Sequence, residues 1–342
     1  MTCTLTRRRA VALGCVMAVA TGACSGPRHI VPVQGGRRAV SPSASTFTPA
    51  VRAWPPADLG PGRIVARVVE RGAIVAVVQH LSSAGAGQGP ITVATFDPEA
   101  TRLVLHAGAL EPTQKGGWRE GPTVQPAERT RMVAAFNGGF RVLDARGGWR
   151  SEERTVVPLV EGAASVIIDR SGRTDVRAWN TRRDARGAIS VRQNLQLLVN
   201  RGQPVLGPAD ALTPASDYWG RAFARARLVA RSALGVTADG TLVWAAGTNI
   251  TVQALARALV LHHVRRALEL DINAPLVRGF LFPAAGQVAV PGAHASRTPV
   301  PLVVGQTQPR GLIGMLADAL TPAPHCDYVS ACARDFFTVL LR

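Results

Sequence analysis

The sequence predicts a single-domain α+β fold, a mixed, largely antiparallel sheet with a few packed helices. Three observations carry that expectation. Apolar runs of strand length recur along the chain, 34 glycines and 24 prolines punctuate its 342 residues, and one stretch, Thr251 to Ala267, repeats its apolar residues at helical spacing. A hydrophobic fraction of 47% is enough for a substantial core, and so much Gly and Pro excludes a coiled coil or helical bundle.

The first element is an address. Thr6-Arg7-Arg8-Arg9 precedes an apolar run from Ala10 to Ala20, and Thr21-Gly22-Ala23-Cys24 follows, with no acidic residue before the cysteine. A basic region, an apolar core too short to span a bilayer permanently and small residues before the cut make a bacterial export signal over residues 1–23. The cysteine directly after Gly-Ala resembles a lipoprotein box, which predicts a lipid on Cys24, and the adjacent arginines resemble a twin-arginine signal. The expected location is the outer face of the cell membrane, held by an N-terminal lipid; an ordinary signal cut nearby would leave the protein secreted. Cys3 and Cys15 leave with the signal, so Cys326 and Cys332 remain to close a small disulfide loop in an oxidising space.

Residues 24–62 are rich in Pro, Ser and Gly, including Ser41-Pro42-Ser43-Ala44-Ser45 and Pro55-Pro56, and read as a tether with too little apolar surface to order itself. Residues 63–342 read as one domain. In it, Ile64 to Val69 and Ala73 to His80 predict a hairpin around Glu70-Arg71-Gly72, and Ile91 to Phe96 with Arg102 to His106 predict another across Asp97-Pro98-Glu99. Further strands are expected over Met132 to Phe136, Thr155 to Val160, Ala164 to Ile168 and Val191 to Val199. Ala233 to Val236 and Thr241 to Ala245 flank Asp239-Gly240, a hairpin turn signal. The helix follows, with Thr251 as its cap and Leu255, Ala258, Leu259 and His262 on one face.

The formal net charge is +17, from 39 basic against 22 acidic residues, and Lys115 is the one lysine. Guanidinium forks suit phosphate and carboxylate groups, although codon composition also favours arginine. The arginines are scattered, with no aromatic-interleaved stripe, zinc-finger spacing or leucine zipper, so no nucleic-acid partner is expected and the charge points to small anionic partners.

Three segments carry chemistry. In Asn137-Gly138-Gly139-Phe140 an apolar strand runs into two glycines, which suits either a plain tight turn or a backbone that comes close to a ligand. In Arg231-Ser232-Ala233-Leu234 an arginine opens an otherwise apolar strand, either at an exposed sheet end or pointing to an anion in a cleft. In Leu268-Glu269-Leu270-Asp271-Ile272-Asn273, period-two alternation puts Glu269, Asp271 and Asn273 on one face, either solvated or, beneath a strongly apolar helix, held there by bonding or function. Asp271 and Asn273 also offer oxygens to a hard cation, a weak signal without the rest of a loop.

Taken in order, Asn137-Gly138-Gly139-Phe140, then Arg231-Ser232-Ala233-Leu234-Gly235-Val236-Thr237-Ala238-Asp239-Gly240, then a helix leading to Leu270-Asp271, the chain resembles the phosphodiester glycosidase domain family over roughly residues 90–340. Arg154-Thr155-Val156-Val157-Pro158-Leu159, Arg192-Gln193-Asn194-Leu195 and Arg334-Asp335-Phe336-Phe337 resemble its actinobacterial exported branch. The family commonly reads Asn-Leu-Asp-Gly-Gly-Gly-Ser where this chain has Glu269-Leu270-Asp271-Ile272-Asn273-Ala274-Pro275. The resemblance implies hydrolysis of a sugar-1-phosphodiester without a cofactor, with Asn137 and Gly138 lining the cleft, Arg231 binding the phosphate and Asp271 acting at the sugar. Such a reaction needs a carboxylate at an oxocarbenium-like centre and cations on the leaving phosphate. Glu269 or Glu152 is the expected second carboxylate, Arg192 a second phosphate ligand, and Gly139, Asn194 and Asn273 complete the binding set. Expected partners are a sugar phosphate or anionic glycan and the membrane; a catalytically silent lipoprotein that binds anionic glycans is the alternative. Trp118, Trp149, Trp179 and Trp219 either stack on sugar or fill the core. Arg221, Arg225 and Arg227 either extend an anion-binding surface or are solvated, and His262 and His263 either pack or face solvent.

Overall fold

The computed structural model describes residues 53–82, 88–112, 117–205, 219, 228–282, 288–289, 300–301, 328 and 331–342. All belong to one compact unit, Arg52–Arg342. The export signal, Cys24, Cys326, Arg221, Arg225 and Arg227 lie outside the described residues.

Every ladder among the described strands is antiparallel, in three sheets. The largest runs from edge to edge as β12 (Gln203–Pro204), β11 (Leu197–Asn200), β15 (Val264–Glu269), β13 (Val229–Thr237), β14 (Leu242–Ile250), β3 (Ile91–Phe96), β2 (Ala73–Leu81), β1 (Arg63–Glu70) and β17 (Val288–Ala289). A second is ordered β7 (Arg154–Val157), β6 (Trp149–Ser151), β10 (Ala188–Gln193), β8 (Ala164–Asp169), β9 (Thr174–Ala178). The third is ordered β18 (Val300–Pro301), β16 (Gly279–Leu281), β5 (Met132–Asn137), β19 (Phe336–Leu341), β4 (Thr101–His106).

The α+β expectation is corrected to a β-rich fold: strands make up 46% and helices 9% of the described residues. Two of the described helices, α1 (Pro126–Arg129) and α2 (Thr181–Asp184), are single turns, and only α3 (Val252–Leu261) has any length. Thr251 caps α3 by accepting from the Ala254 N–H at 3.1 Å. The helix was expected to reach Ala267, but His263 takes φ +60 and the chain returns as β15, because there Val264–Glu269 finds strand partners on both sides, β13 and β11. Ladder pairing outweighs helical periodicity at that point.

The β1–β2 and β13–β14 hairpins form as the pattern predicts. The second expected hairpin does not. Arg102–His106 leaves Ile91–Phe96 to pair with β19 in another sheet, while β3 lies between β2 and β14. The expected strand Val191 to Val199 is two strands, broken where Leu195 takes φ +56.

The main core lies between the large sheet and the other two, where Phe136 meets Trp244 at 5.6 Å and Phe337 at 5.9 Å. The opposite face of the large sheet is covered by α3, whose Leu255 and Leu259 are fully buried with Val243, Ala245 and Ala267. Each such leucine contributes about 1.5–3 kcal/mol by leaving water. The last part of the expected tether packs on the domain: Gln79 Nε2 donates to the Gly60 carbonyl at 3.0 Å, and Asp58 pairs with His263 at 3.0 Å. Gly60 has φ +83, and a Cβ there would meet the Leu261 carbonyl at 2.4 Å. Among the described residues no helix is long and apolar enough to cross a membrane.

Candidate active site

β5 delivers Asn137 to the end of the third sheet, and the two glycines that follow turn the chain under β19. The Asn137 N–H donates to the Arg278 carbonyl at 3.0 Å and the Gly138 N–H to the Asp335 carbonyl at 3.1 Å. A Cβ on Gly138 would come within 2.5 Å of that carbonyl, and one on Gly139 within 2.8 Å of Arg192 Cζ. The glycines are therefore required by close packing of protein on protein. Asn137 Nδ2 donates to the Gly138 carbonyl at 2.8 Å and to Ser232 Oγ at 3.0 Å, while its Oδ1 is buried without a hydrogen-bond partner.

Asp271 follows β15 and is 1% exposed. Its Oδ1 accepts from the Ile272 N–H at 2.7 Å, the Asn273 N–H at 2.9 Å and Asn273 Nδ2 at 2.9 Å. Its Oδ2 faces Arg334 Nη1 at 3.0 Å. Burial raises this carboxyl above the usual aspartate value, against the pull of Arg334 and the three N–H donors. Asn137, Gly138, Gly139 and Asp271 line one pocket with Pro275, Leu276, Arg278, Tyr328 and the Ala333-Arg334-Asp335 segment. Its volume is about 30 Å³, room for roughly two water molecules.

Arg231 does not line that pocket. It points to the α3 side of the large sheet, where Nη1 donates to Glu269 Oε1 at 2.7 Å and to the Trp219 carbonyl at 3.3 Å. Its Nε and the Glu269 Oε2 are buried with no hydrogen-bond partner. Burial pushes Glu269 up to about 7, Arg231 opposes the rise, and Asp271 adds to it. Arg231 and Glu269 hence form a buried ion pair away from the residues that line the pocket, and the structure does not bring them together with Asn137 and Asp271 there.

Arg192, expected on the phosphate, is likewise placed among internal partners and does not line the pocket. Its Nε donates to Asp335 Oδ2 at 2.6 Å, Nη1 to the Gln193 carbonyl at 2.7 Å and Nη2 to the Phe140 carbonyl, and both charged side chains are 1% exposed. It clamps the turn after Gly139 to β19. Asn194 is also spent internally, accepting from the Phe140 N–H at 3.1 Å and donating to the Glu269 and Leu270 carbonyls at 2.6 and 3.1 Å. Glu152 lies in a different cleft of about 550 Å³ with Arg119, Glu120 and Arg170, where it accepts from the Glu120 N–H at 2.9 Å. Trp149, Trp179 and Trp219 are buried core residues, and Trp118 packs edge-on against Trp149 at 5.1 Å.

The residue that sequence reasoning left out of the site is Arg334. Its signal was the Arg-Asp pair placed directly before the apolar strand Phe336–Leu341, a position where charge must find partners. Cys332, two residues earlier, is buried and disulfide-bonded, with its partner outside the described residues. A cation near Asp271 does not fit, because three N–H donors and a guanidinium already occupy both carboxylate oxygens. Among the described residues no cluster of three His, Cys, Asp or Glu side chains is placed to hold a metal.

No protein-family model matches the chain. No curated protein sequence matches it either. Among solved structures it is similar to the catalytic domain of zebrafish N-acetylglucosamine-1-phosphodiester alpha-N-acetylglucosaminidase, auto-inhibited by its pro-peptide, with 14% identity over 83% of this chain and 92% of that one and a TM-score of 0.44. A protein from Synechocystis is 13% identical over 84% of this chain and 65% of its own, with a TM-score of 0.41. A protein of Burkholderia pseudomallei described as exported is 13% identical over 75% of each chain, with a TM-score of 0.37. These likenesses are distant and assign no residue of this chain a role.

Proposed function

We propose that the protein is an exported, membrane-tethered glycosidase that hydrolyses sugar-1-phosphodiester bonds, with Asp271 at the sugar and Arg334, in place of Arg231, on the phosphate. The observation that supports this reading is the meeting of a buried carboxylate, a guanidinium and the unpartnered Asn137 Oδ1 in one pocket. A raised carboxyl pKa suits a general base. Water attacks C1 and gives one proton to Asp271 Oδ2, while the C1–O bond breaks with its electron pair going to the phosphate oxygen. The products are the free sugar and a phosphate monoester. Because phosphate leaves as an anion, a cation on it matters more than an acid, which is the role of Arg334. Asn137 Oδ1 accepts from a sugar hydroxyl. The phosphate draws Arg334 away from Asp271, so substrate binding opens the ion pair and widens the pocket together.

The small pocket and the fully bonded Asp271 favour a second reading, a silent receptor for anionic glycans. Purified protein incubated with a panel of sugar-1-phosphodiesters separates the two. The glycosidase releases free sugar, and Asp271→Asn brings release to background while the thermal midpoint shows that the variant is folded. A wild-type protein that turns over no panel member yet binds anionic glycans is the receptor.

A further inference from the structure

The two most exposed large apolar side chains among the described residues are Leu143, 89% exposed, and Leu110, 69% exposed. Isolated exposed leucines are ordinary. These two are not isolated from the pocket or from one another. The Leu110 N–H donates to the carbonyl of Ala333, a pocket-lining residue, at 2.9 Å. The neighbour of Leu110, Glu111, accepts from the N–H of Val142, the neighbour of Leu143, at 3.3 Å. Glu111 also faces Arg334 Nε at 3.7 Å. Both leucines thus stand on loops joined through Glu111 to the guanidinium that meets Asp271. The pocket itself has apolar lining from Pro275, Leu276 and Ala333 beside its charged groups.

We propose that Leu110 and Leu143 form a rim that holds the apolar alcohol of the substrate, so that the substrate class is a sugar-1-phosphate esterified to a lipid alcohol. The inference rests on the glycosidase reading for the sugar and phosphate, and on the leucine rim for the alcohol. The order of chemistry from the inside outward matches such a molecule: a carboxylate for the sugar, a guanidinium for the phosphate, then exposed leucines. A water-soluble alcohol gives the leucines nothing to bury, whereas a prenyl chain leaves water on contact with both. Tethering by an N-terminal lipid, as the sequence predicts, would keep the site at a bilayer surface where such esters reside.

The test gives the full protein two diesters of the same sugar 1-phosphate, one esterified to methanol and one to farnesol in mixed micelles. Wild type is expected to favour the farnesyl diester in kcat/KM by about 100-fold, and Leu110→Ser/Leu143→Ser to cut that preference at least ~10-fold, the scale of losing buried leucine contacts. Leu261→Ser, which alters another exposed leucine at the end of α3, keeps the wild-type preference. Equal rates on both diesters, or a preference untouched by the double substitution, overturns the proposal. Affinities for farnesyl phosphate and methyl phosphate are measured alongside. A wild type that cleaves neither diester but keeps a leucine-dependent preference for farnesyl phosphate sinks the glycosidase reading and leaves the apolar rim standing; without that preference both fall.

Discussion

Arg334 and Asp335 are consecutive residues that make opposite uses of charge. Asp335 turns into the core and meets Arg192, with both partners 1% exposed and the guanidinium bonded also to two carbonyls. Arg334 turns to the pocket, keeps 15% of its side chain exposed, donates to the Gly139 carbonyl and meets Asp271. The first pair is fully engaged and joins β10 to the start of β19. The second keeps solvent access at Arg334, which the proposed function uses to take the phosphate. The difference teaches that access separates two buried ion pairs of like chemistry: the one through Arg192 locks two strands away from solvent, and the one through Arg334 leaves a guanidinium that a ligand could reach.

The largest expected effect breaks the structural pair. Arg192→Met should lower unfolding free energy by about 3–5 kcal/mol, because it strands Asp335 without a cation, and Arg192→Met/Asp335→Leu should recover most of the loss. Denaturant titration measures both, and a single-variant loss under ~1 kcal/mol would erase the contrast with Arg334. Next, Arg334→Ala should cut kcat/KM about 100-fold or more, as for removal of a group that stabilises developing charge. Its stability cost should stay below that of Arg192→Met, since water can reach the vacated place.

The smallest effect concerns the third pair. Glu269 rises from an ordinary 4.5 to about 7 on folding, so the folded state binds its proton more tightly than the unfolded chain does. Its contribution to stability is complete below the unfolded value and is lost as pH rises through the folded one, an order-of-magnitude loss of ~1–3 kcal/mol. Glu269→Gln should flatten that part of the stability profile, read as the wild-type minus variant difference between acid and neutral pH. Parallel profiles for the two proteins would show that Glu269 titrates alike in the folded and unfolded chain, and a wild-type advantage that grows with pH would show that Arg231 keeps it ionised.

Much of the strand content was legible because alternation and turn residues are local signals: β1 and β2 with Arg71-Gly72 between them, and β13 and β14 around Gly240, stand where the pattern put them. Pairing is not local, so β3 and β4, which the pattern joins as one hairpin, pair in different sheets. The α3–β15 boundary was misplaced because Val264, Ala267 and Leu268 continue the helical spacing of α3, while the strand partners that decide the matter lie elsewhere in the chain. At the site, period two put Glu269 and Asp271 on one face, but the alternation ends with β15: Glu269 pairs with Arg231 on the α3 side of the large sheet, while Asp271 meets Arg334 in the pocket. Arg231 meets Glu269 through pairing of β13 with β15, whereas the meeting of Arg334 with Asp271 depends on how the third sheet docks, which no spacing within Arg334-Asp335 encodes.

The position of β19 has a consequence for folding. It lies between β4 and β5, and His106 bonds to Thr338 at 2.9 Å across 232 residues of chain. Contacts so distant in sequence form slowly, because a long loop must close before any bond rewards it. Until then β4 and β5 present bare edges to any other strand nearby. The ends of the pocket wall, Arg334 and Asp335, arrive with β19, so binding competence should develop last on the folding time course.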